Sequence, residues 1–532
     1  MVKPDFNDIE YSKVTLLERP DVLTECADLY SKYYGIWANN SPMAGQPIKL
    51  SASRIHKWFP NENTNLYTAR DRAHDNVLIG YAIALRANIS NRRAVSWVTQ
   101  LVVHNDYRQQ GIGSHILRHI WGMSNDYAWG IVTSSPFAIR ALEKATRRRC
   151  DPKEIGKKNG EAKSRADRLL ELGNDNIGNY ISNSIERRID ESTAQINTNF
   201  PADHSKISDR IRDLCKKNNL EWIMGDLQEK WEYFAFTFRE QKRFELTKEE
   251  INEILENTDV AVKQAYRRML GGNDKGRPYA KHTKHEIDFV IKHCGLSKKT
   301  HVYDFGCGHG RHSIELATRG IETTGVDYIK ENIDICKRAA NRHSINTNFL
   351  EADCRDVSFG QKADAIICLY DIIGSFADEK DNVRIIENIA RHLKPGGSTI
   401  ISVMNSEITA GKVKEFLFSA SPNKVFNLKS SSNMGKNGEV FNPKLMLYDR
   451  ESGVYYRKEQ FMQGKELPIE LLVCDRRYSK ESIRKLCEDA GLIVDFVRYV
   501  HAGYWENDLP PTDKHAKEVL VKCTKANEPI AS

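Results

Sequence analysis

The sequence predicts a two-domain α/β protein, on three observations. The chain has 532 residues, more than one core of about 100–200 residues holds. Two strand–glycine turn–helix segments, at Gly111–Gly113 and Gly306–Gly310, stand far apart in it. Around each, strand-like and helix-like stretches alternate, which implies sheets with helices packed on them.

In the first region Val14–Arg19 reads as a strand and Pro20 opens a helix toward Trp37. Strands follow at Leu66–Arg70, Val77–Ala87 and Ala94–His104, then a helix from Gly111 to Trp121, a strand at Trp129–Ser134 and a helix from Pro136 to Thr146. A charged stretch opens with Arg147-Arg148-Arg149 and closes on the aromatic alternation Trp231–Phe238, strongly β in character. Gly271-Gly272-Asn273-Asp274 is a breaker cluster. The expected division is therefore a domain over 1–240 (core 14–150, helical and charged extension 151–240), a linker over 241–274 and a domain over 275–525. In the latter, strands are expected at Val302–Phe305, Thr323–Val326, Asn348–Leu350, Ala365–Leu369 and Thr399–Val403, with helices over 311–319, 331–343 and 381–393.

Composition narrows the function classes. Apolar residues make up 40% and charged residues 28%, ordinary for soluble globular protein. No apolar run approaches the ~20 residues that span a bilayer, and Met1-Val2-Lys3-Pro4-Asp5 lacks a secretory pattern. The eleven cysteines are scattered singly, without zinc spacing. These features predict a cytoplasmic protein with no membrane partner and no metal. The net charge of +7, from 79 basic and 72 acidic residues, permits nucleic-acid contact without arguing for it. No motif speaks to oligomeric state.

Val302–Gly310 runs from a strand into a turn with glycines at 306, 308 and 310, which lets backbone approach a ligand at the positive end of the next helix. Roughly 20 residues on, Asp327 ends the second strand where a ribose diol would be gripped. The segment resembles the class I S-adenosylmethionine-dependent methyltransferases, whose first motif is an acid before Gly-x-Gly-x-Gly, here Asp304, Gly306, Gly308 and Gly310. Four later blocks fall in family order: Leu350–Cys354, Ala363–Phe376, Leu393–Gly397 and Arg477–Gly491. The resemblance implies a Rossmann-like domain holding S-adenosylmethionine, with Asp327 on the ribose, Asp353 and Cys354 reading the adenine and Leu369 bordering the methyl donor. Tyr370, Asp371 and Ser375 lie where it implies that the substrate enters and are the candidate catalytic residues; Tyr279 and His282 are placed to close over the cofactor. The signature of base-amino methylation is missing at 368–371, which reads Cys-Leu-Tyr-Asp, and 405–470 looks like the strand-rich insert over small-molecule sites. A small-molecule substrate is expected.

Leu101–Ser114 is a second strand, glycine turn and helix. It resembles the GNAT N-acetyltransferases, whose Arg/Gln-x-x-Gly-x-Gly/Ala loop offers backbone N–H groups to the coenzyme A pyrophosphate. Arg108, Gly111 and Gly113 fall on those positions, with Gln109 and Ser114 beside them, and Leu101 and Val103 supply strand N–H groups. The implied cofactor is acetyl-coenzyme A. Two positions depart from the family: Gln100 stands where many relatives carry a carboxylate, and Leu142 where they carry a tyrosine. The reading is a bifunctional transferase, methylating a small molecule and N-acetylating the same substrate or a neighbour in its pathway. The alternatives are a tRNA or DNA modification enzyme, gripping phosphates through Arg147, Arg148, Arg149, Lys157 and Lys158, and a methyltransferase governed by a non-catalytic acyl-coenzyme A sensor.

Overall fold

The structure is a computed structural model. It describes residues 9–14, 21–57, 64–90, 93–121, 124, 126–177, 189–200, 202–218, 220–256, 280–431, 439–461 and 469–527. The chain divides into two compact units, Met1–Glu250 and Ile251–Ser532. Of the expected linker, 257–274 lies outside the described residues, as does Tyr279.

The first unit is one eight-stranded sheet: β1 (Ile9–Val14), β2 (Thr64–Asp71), β3 (Val77–Ser90), β4 (Arg93–Val103), β5 (Ala128–Thr133), β6 (Ile189–Asp190), β7 (Gln195–Asn197) and β8 (Trp231–Phe238). Its order is β1-β2-β3-β4-β5-β8-β7-β6, and β4–β5 is its parallel pair. The first described strand is Ile9–Val14; of the strand expected at Val14–Arg19, residues 15–19 lie outside the described residues. It pairs with β2 from Ile9 opposite Asp71 to Val14 opposite Leu66. The helix Val22–Tyr33 packs Val22, Leu23, Cys26 and Tyr30 against Leu66, Leu78, Tyr81 and Val102. On β5, a Cβ at Gly130 would stand 2.1 Å from the Phe236 ring, so only glycine lets β8 close over it.

The charged extension is built into this unit. Arg148 is 4% exposed; it donates to the carbonyls of Thr146 (2.7 Å) and Arg239 (3.0 Å) and lies over the Trp129 ring. Arg149 donates to the Glu221 carbonyl and pairs with Glu143, and Arg147 reaches the Phe244 carbonyl. Arg165 pairs with Glu154 and Glu240 over the Phe238 ring. Buried guanidiniums with carbonyl partners hold a fold together and are not presented to phosphates.

The second unit is a seven-stranded sheet of β9 (His301–Phe305), β10 (Glu322–Asp327), β11 (Asn348–Glu351), β12 (Ala363–Cys368), β13 (Leu393–Met404), β19 (Leu492–Val500) and β20 (Glu518–Lys525). The order is β11-β10-β9-β12-β13-β20-β19, parallel except for β20. Helices cover both faces. Ile385, Ile389, Ile483 and Cys487 lie on the side of Tyr303, Phe305 and Ile401, and Ile287, Val290 and Leu316 on the side of Val302, Ile367 and Ile400. Strand order reverses between β9 and β12, which opens a crevice at their carboxyl ends. Over 405–475 a second sheet joins β14 (Lys414–Phe416), β15 (Ser430–Ser431), β16 (Met446–Asp449), β17 (Tyr455–Phe461) and β18 (Ile469–Asp475). Among the described residues no helix is long and apolar enough to cross a membrane.

Candidate functional site

In the first unit, β4 carries an extra residue at Thr99, where its register against β3 slips from Ile83–Gln100 to Ala84–Val98. A bulge bends the strand that carries it. Pairing with β5 spans only Val95–Val98, so Leu101 and Val103 lie where the two parallel strands part. The loop beyond is pinned. The Tyr107 hydroxyl donates to Asp71 at 2.6 Å, the Asp106 N–H to His104 Nδ1 at 3.2 Å, and Arg108 Nε to the Val103 carbonyl at 3.0 Å. Gln109 and Gly111 have φ of 58° and 95°, turning the chain into the helix Ile112–Trp121, whose first N–H groups, at Gly113 and Ser114 among them, have no partner within the helix. Loop and strand fork form a backbone cradle for an anion with an extended tail. Arg108 itself is tied to the carbonyls of Val103 and Tyr33, so its guanidinium braces the cradle. Gln100 Oε1 accepts from the Tyr81 hydroxyl at 2.5 Å, and Leu142 is fully buried.

In the second unit the glycine turn leaves β9 with Gly306, Gly308 and Gly310 at φ of 69°, 55° and 74°. A Cβ at Gly306 would meet Ile372 at 2.4 Å and one at Gly310 would meet Cys336 at 2.8 Å, while one at Gly308 faces open space. Asp327 clamps the turn. Its Oδ2 accepts from Gly308 N–H (2.9 Å) and its Oδ1 from Ile329 N–H (2.8 Å) and Asn332 (3.1 Å). Burial raises its carboxyl, and these bonds oppose the rise. Asp304, raised by burial too, accepts from Ser313 Oγ at 2.6 Å. A glycine cradle with a carboxylate beside it fits a nucleoside diol against open backbone.

Around the crevice mouth the structure assembles charged residues the sequence reading did not single out. Arg311 and His312, directly after the turn, both bond the Glu286 carboxylate, His312 at 2.7 Å, and the Tyr370 hydroxyl donates to it as well. The Glu286 side chain is wholly inaccessible. Burial pushes its carboxyl up, but the bond and charge of His312, the charge of Arg311 and the Tyr370 bond outweigh this and hold it at about 2. Arg311 also lies 4.6 Å over the Tyr370 ring.

Tyr370 and Asp371 take φ of 63° and 68°, a left-handed pair without glycine. The Tyr370 N–H donates to Ser402 Oγ at 2.8 Å and the Asp371 N–H to the Ser402 carbonyl at 3.4 Å. Burial raises Asp371 to about 6 against the opposing charges of Arg477 and Arg457.

Of the expected site residues, the structure places Gly306, Gly308 and Gly310 on the turn after β9, Asp304 within β9, Asp327 at the end of β10 bonded to that turn, and Leu369, Tyr370 and Asp371 directly after the neighbouring strand β12. Ser375 is exposed and its hydroxyl closes a local turn on the Ile372 carbonyl at 2.7 Å. Asp353 is engaged by Arg355 through both carboxylate oxygens, 2.7 Å at the shortest, and Cys354 is buried, its carbonyl accepting from Asn388. Arg311 and His312 were findable as the residues following Gly310. Glu286 and Glu518 carry no motif.

Residues 302–397 match the family described as Methyltransferase domain, and residues 25–128 the Acetyltransferase (GNAT) family. Similar curated proteins include the ubiquinone biosynthesis O-methyltransferases of Rickettsia canadensis, 29% identical over 22% of this chain and 49% of the relative, and of Coxiella burnetii, 34% identical over 21% and 47%. The chain thus spans about half the length of the curated relatives it matches. A similar solved structure is the CcbJ methyltransferase from Streptomyces caelestis, 12% identical over 48% of this chain and 93% of that one, with a TM-score of 0.37. Another is an S-adenosylmethionine-dependent methyltransferase from Clostridium acetobutylicum, 16% identical over 46% and 92%, with a TM-score of 0.33. The chain therefore joins a GNAT-family domain, whose family implies acetyl-coenzyme A, to a Rossmann-like methyltransferase domain, whose family implies S-adenosylmethionine.

Proposed function

We propose that the chain is a bifunctional transferase that methylates a small molecule in its second unit and N-acetylates the same substrate, or a neighbour in its pathway, in its first. The observation that carries the reading is the pairing of the Gly308 N–H with the Asp327 carboxylate at the topological switch point. Asp327 would hold the ribose hydroxyls, Gly306–Gly310 the amino-acid end, and Asp353 with Cys354 the adenine edge; a carboxylate has lone pairs to accept further bonds beside Arg355. When bound, S-adenosylmethionine supplies an electrophilic methyl group. The chain's own part is to align the acceptor and exclude water, from Leu369, Tyr370 and Asp371 on one wall and the 405–475 sheet over the crevice. In the first unit, Gln109–Ser114 would cradle the pyrophosphate and Leu101 and Val103 the thioester tail. Joining both sites in one chain raises effective concentration if they share a substrate. Eleven cysteines without a disulfide suit a reducing cytosol.

Calorimetry tests the reading directly. Asp327→Ala is expected to weaken S-adenosylmethionine by at least about 1.5 kcal/mol, the size of a lost charged hydrogen bond. Unchanged affinity would remove the assignment of β10 as the ribose-binding strand.

One observation favours a second reading for the first unit. Acetyl transfer needs a base and an acid, yet Gln100 has its oxygen engaged by Tyr81 and Leu142 cannot give a proton. A domain that binds acyl-coenzyme A without transferring it would sense that metabolite. Acetyl-coenzyme A binding without turnover, with a changed methyl-transfer rate, would select this reading.

A further inference from the structure

Two buried carboxylate oxygens and one buried guanidinium nitrogen beside the crevice have no hydrogen-bond partner: Asp371 Oδ1, Glu518 Oε2 and Arg477 Nη1. Glu518 is 6% exposed and the Arg477 side chain is wholly inaccessible. Glu518 opens β20 opposite Met404, and Asp371 follows β12, so both stand at the carboxyl edge of the sheet beside the switch point. Glu286, whose oxygens are taken by Arg311, His312 and Tyr370, closes the cluster behind them. Three carboxylates here share one fully bonded member and two with an oxygen left over. A buried acceptor without a donor costs about 1–3 kcal/mol, and two of them at the mouth of a binding crevice match a ligand that brings N–H groups.

We propose that the methyl acceptor is an amine, held as its ammonium ion between Glu518 and Asp371, with Asp371 Oδ1 taking the proton that frees the nitrogen lone pair. This rests on the methyl-transfer reading above and deepens it. An ammonium has no lone pair and cannot attack, so one N–H must break first, its electron pair staying on nitrogen and its proton passing to Asp371. The new C–N bond then forms as the S–CH3 bond breaks, sulfur keeping that pair. The product leaves as the methylated ammonium ion and Asp371 returns its proton to solvent.

The surrounding charges suit this division of labour. Facing Asp371 are Arg477, Arg457 and Glu518; facing Glu518 are Asp371, Glu286, Arg311 and Ser402. Asp371 sits at about 6, where it is ionised at neutral pH yet still accepts a proton. Glu518 is raised well above the carboxylate range by burial and by the charges of Asp371 and Glu286. These causes favour its proton in the free protein, and an arriving cation favours the proton's release.

The full-length protein is incubated with trideuteromethyl S-adenosylmethionine and a metabolite extract of the cells that make it, and labelled products are fragmented by mass spectrometry. Label on an amine nitrogen is expected. Label on a hydroxyl oxygen, sulfur or carbon overturns the amine assignment and leaves methyl transfer standing; donor binding with no labelled metabolite overturns both. With the amine so identified, calorimetry without the donor, in buffers of different ionisation enthalpy, should count about one proton released on binding to wild type and none to Glu518→Gln, with affinity at least tenfold weaker in the variant. Unchanged proton release overturns the role of Glu518. Asp371→Asn should lower label transfer at least 100-fold at pH 7, and should remove its rise with pH through about 6. A variant that keeps the wild-type pH profile overturns the role of Asp371.

Discussion

The two units place their charges in opposite ways. In the first, ionic groups brace the scaffold: Arg148 on backbone carbonyls, Arg165 between Glu154 and Glu240, and Arg140 between Glu143 and Glu250. Gln100, where the resemblance leads one to expect a carboxylate, is neutral and accepts a bond from the Tyr81 hydroxyl. In the second, the buried carboxylates of Glu286 and Asp371 act on Glu518 near the carboxyl ends of the strands. Acyl transfer to an amine demands a base and methyl transfer does so only for some acceptors, so the demand and the supply lie in different units. The contrast teaches that the second unit gathers interacting carboxylates beside its cradle, whereas the position expected to hold a carboxylate in the first unit is neutral.

The largest effect should come from Glu286. Removing one member of a buried ionic cluster costs about 3–5 kcal/mol, so Glu286→Ala should show that loss in denaturant melts. The carboxyl is held at about 2 against an ordinary 4.5. Its contribution is therefore full above the ordinary value and drains away as pH falls toward 2. A Glu286→Gln melt that falls as steeply with acid as wild type would break the contrast.

Next is the cradle of the first unit. Gly111 at φ 95° occupies a conformation closed to side-chain-bearing residues. Gly111→Val should weaken acetyl-coenzyme A at least tenfold in calorimetry. Gly113 separates strain from blockage: a Cβ there meets Val103 and Leu101 only at 3.8 and 3.9 Å, so Gly113→Ala should fold and melt as wild type does. If Gly111→Val binds acetyl-coenzyme A normally, the loop is not the pyrophosphate site.

Asp371 offers a smaller and opposite effect. Its carboxyl is raised to about 6 from an ordinary 3.8, so the native state favours the proton, and the stability this confers is full below the ordinary value and lost as pH rises through 6. Asp371→Asn should therefore stabilise the protein by up to about 3 kcal/mol at pH 8 and by well under about 1 kcal/mol at pH 4. A residue whose removal adds stability while it removes activity is retained for function.

The smallest effect concerns nucleic acid. Lys157 and Lys158 are the exposed members of the basic run. Changing both to serine should leave filter-binding to tRNA or duplex DNA weak and its salt slope unaltered. Steep binding lost with those two lysines would restore the nucleic-acid reading. Serine at Arg148 would instead lower stability, since it strands two carbonyls.

Much of this was legible because the signals were local. Pro136–Thr146 and Trp231–Phe238 form the predicted elements to the residue, the first with proline opening it and Arg147 closing it left-handed. The glycine turns were readable because a sharp turn at a helix start admits few other residues. What failed to show was long-range. β6 and β7 are two and three residues long, too short for any periodicity, and exist only because β8 pairs with β7. Lys394–Gly397, which reads as a turn, is carried inside β13, whose register slips between Ala363 and Ala365 on β12. At the site, Glu286 and Glu518 meet through a sheet that reorders seven strands. A single acid in a helix or at the start of a strand announces nothing until the topology brings it beside another.

The left-handed pair Tyr370–Asp371 has a further consequence. Each such residue costs of order 1–3 kcal/mol, and both are held by one side chain and one carbonyl of Ser402. The dipoles and carboxyl facing the crevice are thus set during folding and need not turn when charge migrates between donor and acceptor. Water around the same reaction would have to reorient at each event. Here that rearrangement is made once per molecule, when β12 docks against β13, and every later turnover inherits it.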